Sequence, residues 1–114
     1  MNYKNLAKPF NTAIEKKLLG QSVFIRRLST TELTDYNDAV AAERNGANND
    51  RTLSAMGVSL FLSALVNEDG SRPKKADLPT AQELLDAHSA ADLLVAVSTV
   101  QRHSYGTLED AVKN

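Results

Sequence analysis

Cysteine is absent from this sequence, and its absence excludes disulfide bonds, thiolate nucleophiles and cysteine-ligated zinc. Tryptophan is absent too, and aromatic residues make up only 5% of the chain. A core poor in rings must be filled by Ala, Leu and Val, which favours helix over an all-strand fold. Histidine is scarce: His88 and His103 lie on different segments, with no HExxH spacing and no evident third ligand. Glycine-rich phosphate loops are missing. Gly57-Val58-Ser59-Leu60-Phe61 lacks the second glycine of a nucleophile elbow and sits inside a helical pattern. Glu68-Asp69-Gly70 resembles part of a calcium loop, but Leu and Val stand where the upstream oxygen ligands belong, so an EF-hand is excluded. No cofactor or metal is implied, and catalysis is not expected. Met1 to Gly20 has no continuous apolar core and carries Lys4, Lys8, Lys16 and Lys17 along it, unlike a signal peptide. The expected location is the cytoplasm.

What is present suits one small domain of 114 residues with 42% hydrophobic content. Leu53 to Val66 is fourteen residues without a charge, longer than a strand and shorter than a membrane span. It reads as a buried helix, apolar on most faces and therefore packed on most faces. Ala55, Ser59 and Ser63 share one line on it, a small-residue stripe that lets another helix approach closely. A domain of this size has little material to cover such a helix completely, which points to self-association or a partner. Charge is uneven: residues 1–28 hold six basic side chains against one acid, a net +5, leaving −6 for residues 29–114. A basic head on an acidic body fits head-to-tail contact between copies better than nucleic acid, because no nucleic-acid motif accompanies it.

Along the chain, Pro9 suits a first helical turn, and Phe10, Ala13, Ile14, Lys17 and Leu18 follow at helical spacing. Residues 1–20 are expected as a basic arm or short amphipathic helix, and residues 21–114 as a single helical domain. Val23-Phe24-Ile25-Arg26 reads as a short strand whose partner is Leu65 to Asn67, the segment around Ser71 to Pro73, or another subunit. Ser29 with Glu32 forms a capping box flanked by Leu28 and Leu33 as a staple, opening a helix with Tyr36 and Val40 on its apolar face. Asn45 to Asn49 is a loop, and Asn49 or Asp50 caps the central helix. Gly70 supplies a turn, Thr80 with Glu83 a second capping box, and Ser89 a cap for a further helix carrying Leu93, Leu94, Val97 and Val100. Gly106 ends that helix, and Thr107 to Val112 is expected as a short acidic one. The fold class is mainly α: a small helical domain with a short strand or hairpin element near residues 22–27 and 65–73.

Three stretches together resemble the tail assembly chaperones of long-tailed, lambda-like bacteriophages. Val23-Phe24-Ile25-Arg26-Arg27-Leu28-Ser29, followed by Glu32, is similar to that family's alternating lead-in to an acidic helix. Leu62 to Arg72, with its Leu-Val-Asn-Glu-Asp-Gly-Ser-Arg run, resembles the family's apolar helix passing into an acidic turn. Asp77 to Ser98, with paired leucines at 84–85 and 93–94, and the acidic ending Leu108 to Asn114 complete the likeness. Asn67 stands where the family usually has Asp, and Gln101 to Gly106 replaces a more typical junction.

The resemblance implies a role without a reaction. Such proteins coat the tape measure protein, keep its apolar helical length soluble, and give way to tail tube subunits. They self-associate into rings or spirals, act in the host cytoplasm, and are absent from the mature virion. Many are made in two lengths by ribosomal frameshifting, with which the terminal Lys113-Asn114 is compatible. The candidate partner-binding residues are Phe10, Ile14 and Leu18, Arg26 and Arg27 of the basic head, and Met56, Leu60 and Phe61 of the central helix. The competing readings are a tail or head–tail junction component and a nucleic-acid-binding regulatory module. No membrane partner is expected.

Overall fold

The computed structural model describes residues 1–8 and 12–106. Phe10 and the expected terminal helix at Thr107 to Val112 lie outside the described residues. Residues 1–8 hold one 3-10 turn, Lys4–Ala7, with no buried side chain.

The helical reading of the segment through Leu18 is corrected by the structure. Ile14–Leu18 is a strand, β1, paired antiparallel with β2, Gln21–Ile25. Ile14 and Leu18 are four residues apart, a spacing that places them on one face in a helix and equally on one face in a strand. The tie is broken beyond the segment. The backbone groups of β2 need partners on both sides, and Leu19-Gly20 makes the tight connection that lets β1 supply one. Both turn residues have positive φ, 52° and 81°, as a primed hairpin turn requires.

On its other side β2 pairs with β3, Leu65–Val66, in the register Phe24↔Val66 and Ile25↔Leu65. The strand partner expected at Leu65 is therefore found within the same chain. The three-stranded sheet has the order β1-β2-β3, so β1 is an edge strand.

Four helices carry the rest: α1 Thr30–Asn45, α2 Asp50–Ala64, α3 Ala81–Ala87 and α4 Ala90–Tyr105. Their starts follow local chemistry. The Ser29 hydroxyl accepts from the Glu32 amide at 3.1 Å, and the Glu32 carboxylate accepts from the Ser29 amide at 2.9 Å. Leu28 and Leu33, the staple pair, are both buried. Asn49, rather than Asp50, caps α2 by accepting from the amides of Arg51 and Thr52. Thr80 and Glu83 form the second box, and Ser89 accepts from the Asp92 amide to open α4. Between β3 and α3, Gly70 takes φ 86° in a turn closed by Asn67 N–H to Ser71 O at 2.8 Å.

The α2 helix is the centre. It touches α1, α3 and α4, and Ile25, Val58 and Val100 are the most deeply buried large side chains. Gly57 lies where α2 meets α4, yet a methyl group there would sit 3.5 Å from a Val97 methyl and 3.7 Å from the Tyr36 hydroxyl, both ordinary contacts. Gly57→Ala is therefore expected to raise stability by about 0.5–1 kcal/mol, the helix-propensity difference. A urea titration checks this, and a lower midpoint would show that the two helices cannot accommodate the methyl.

Candidate docking surface

The apolar surface of α2 is not sealed all the way round. Ser59 is exposed, and Ala55, Met56 and Ser63 are half-buried on the same side. With Thr52, with the edge of Leu60 and with Tyr36 reaching in from α1, they line an open groove of about 410 Å³. It runs along three turns of α2, from Thr52 to Ser63, roughly 16 Å at the helical rise. The Ser63 hydroxyl donates to the Ser59 carbonyl at 3.0 Å, so it makes no demand on a visitor. Burial pushes the Tyr36 phenol up from its ordinary range and keeps it neutral. The stripe of Ala55, Ser59 and Ser63 visible in the sequence lines this groove, whereas nothing in the sequence marks Tyr36 and Thr52 as part of it.

One end of the groove is fixed by an arginine clasp. Arg26, just past β2, donates from Nη1 and Nη2 to the two oxygens of Glu32 at 2.9 and 2.8 Å. Its Nε and Nη2 also donate to the Ser63 carbonyl, and Arg72 Nη1 donates to the carbonyls of Ser63 and Leu65. The last carbonyls of a helix have no internal partner and carry partial negative charge. Two guanidinium groups satisfy them here. The Arg26 hydrogen bonds lower the Glu32 carboxyl from 4.5 to about 2, and Glu32 in turn raises the Arg26 guanidinium.

The residues singled out from sequence scatter across this structure. Leu18, Leu60 and Phe61 are core side chains, at 6%, 7% and 3% exposure. Arg26 is committed to Glu32 and Ser63, and Arg27 Nε donates to the His103 carbonyl at 3.0 Å. Both arginines tie the fold together internally. Met56 lines the groove, and Ile14 is exposed on β1 well away from it in sequence. Lys4, Lys8, Lys16 and Lys17 are the exposed remainder of the basic head. Leu94 and Val95, at 65% and 59% exposure, form an apolar spot on the outer side of α4. Val95 adjoins a more polar depression lined also by Lys17, Gly20, His88 and Asp92.

The acidic turn offers no ligand set. Asp69 accepts from both the amide and the hydroxyl of Ser71, and those bonds lower its carboxyl. No group of three or more His, Asp or Glu side chains poised for a metal occurs among the described residues. No described helix is long and apolar enough to cross a membrane.

A family model described as phage tail assembly chaperone protein, TAC, matches residues 2–114. No curated protein and no solved structure matches the chain.

Proposed function

The chain belongs to the phage tail assembly chaperones, and from that premise we propose that it holds the tape measure protein of its phage in soluble form until tail tube subunits replace it. The observation that carries this reading is the open groove on α2. A client that is long, helical and apolar needs a surface that accepts one face of a helix, and small residues flanked by Met56 and Tyr36 make such a surface. The contact is between apolar side chains with little polar fixing, so it tolerates sequence variation along the client. That tolerance suits repeated binding along one extended protein. Self-association into a ring or spiral would keep the groove and the Leu94-Val95 spot covered when the client is absent. Such a protein works in the host cytoplasm and leaves before the virion is complete. It holds its client and converts nothing.

Co-expression with the tape measure protein tests the groove. Ser59 is exposed, so Ser59→Arg fills the groove without entering the core. The expected result is a several-fold loss of soluble tape measure protein while the thermal midpoint of the variant stays within about 2 °C, a shift ordinary for a surface change. Undiminished client solubility with Ser59→Arg would remove the groove from the mechanism.

A further inference from the structure

The outer edge of β1 is unoccupied by any backbone partner among the described residues. In a two-residue hairpin the residues flanking the turn exchange backbone bonds, and the bonded pairs alternate from there. Leu18, Lys16 and Ile14 therefore bond inward to Gln21, Val23 and Ile25. Glu15 and Lys17 turn their N–H and C=O groups outward. Charged edge strands usually repel visitors, and the lysines here would turn away most strands.

The order Ile14-Glu15-Lys16-Lys17-Leu18 is nevertheless complementary to itself when reversed. We infer that β1 pairs antiparallel with β1 of a second copy about a twofold axis through Lys16. This deepens the self-association invoked for the chaperone and rests on that reading. In this register Glu15 faces Lys17 of the second copy and Lys17 faces its Glu15, two opposed-charge pairs at the two positions whose backbone groups point outward. Those positions exchange four backbone hydrogen bonds. Ile14 lies opposite Leu18 of the second copy, and the approach of that strand covers part of the exposed Ile14 side chain. Only the two Lys16 side chains meet like charge, and they can splay on their long stems. A register shifted by one residue mismatches the outward backbone groups, and one shifted by two sets Glu15 opposite Glu15 or Lys17 opposite Lys17 of the second copy. The resulting six-stranded sheet ends on both sides in β3, which at two residues is too short to template another strand. The pair is thus closed, and a larger ring or spiral needs a second surface.

The absence of native cysteine gives a clean test. At the axis the two Lys16 positions form a non-hydrogen-bonded pair with Cα atoms about 4.5 Å apart, inside disulfide range. Full-length Lys16→Cys is expected to link into dimers under mild oxidation. Ser22→Cys, three strand spacings across the joined sheet and two residues along it from its mate, about 16 Å in all, is expected to remain unlinked. Lys17→Glu is expected to raise the dimer dissociation constant about tenfold by sedimentation, because each copy then opposes Glu15 to a second acid. Adding Glu15→Lys restores the wild-type value, and Lys16→Thr tightens the pair. All of these side chains are exposed, so the fold persists. Linking of Lys16→Cys no faster than Ser22→Cys, or failure of the double charge swap to recover association, overturns the edge pairing. Client solubility is read separately through Ser59→Arg, so an edge that fails leaves the chaperone reading standing, and a groove that fails leaves the edge.

Discussion

Phe61→Ala is expected to lower the unfolding free energy by about 3–5 kcal/mol, the cost of removing a buried ring and leaving its cavity. Phe61 is 3% exposed and belongs to the cluster that joins the sheet to α2 and α4. A single domain of this size has a total stability of about 5–15 kcal/mol. The substitution therefore consumes a large part of that margin and lowers the thermal midpoint by roughly 10–20 °C. The same experiment separates two roles that the sequence left entangled. A partner-binding Phe61 would weaken association or client binding at unchanged stability, whereas a core Phe61 shifts the urea midpoint of the isolated protein. Retention of the wild-type midpoint would overturn the placement of this side chain.

Arg26→Met is expected to cost about 2 kcal/mol at pH 7. It removes a two-pronged ion pair of partial exposure and two hydrogen bonds to a helix-end carbonyl. The Ser63 carbonyl keeps Arg72, and Glu32 keeps its place in the Ser29 capping box, so the loss is partial. The pH dependence identifies the ion pair's share. The folded-state pKa of Glu32, about 2, lies below its ordinary 4.5. Its contribution is therefore complete above pH 4.5 and disappears as the pH falls from 4.5 toward 2. Because the Glu32 side chain is 38% exposed, solvent screening reduces that contribution to about 1–2 kcal/mol. Urea titrations of wild type and variant from pH 7 to pH 2.5 should show the gap narrowing across that window. A constant gap would mean that Arg26 stabilises the fold through Ser63 alone.

What could be read in advance divides by the distance over which each feature is decided. The caps at Ser29, Thr80 and Ser89 depend on side chains three residues from the amides they serve, and each was legible. The strand at Val23 to Ile25 showed in its β-branched and aromatic run. The strand at Ile14 did not, because its four-residue spacing satisfies both periods and only the neighbouring strand decides between them. The groove was half legible. Ala55, Ser59 and Ser63 mark it as a line of small residues, but Tyr36 comes from another helix. Leu60 and Phe61 could not be told from the accessible side of α2, since that helix is apolar nearly all round and its rotation is set by Val97 and the sheet. In the sequence Arg26 reads as part of the basic head. Its link to Ser63 spans 37 positions and leaves no local trace, although the capping-box acid six residues on was a clue to its partner.

The passage from α2 into β3 has a mechanical consequence. Ala64 ends the helix and Leu65 begins the strand, with no linking residue between them. The Ala64 carbonyl is already bound by the Arg26 amide at 2.9 Å. A helix joined by a slack loop could roll to suit a visitor, but rotation here by one residue, about 100°, would tear Val66 from Phe24. The shaft is keyed to the plate: a roll of the helix is carried into the strands, and the recess changes shape instead through the Met56 side chain or the α1 wall.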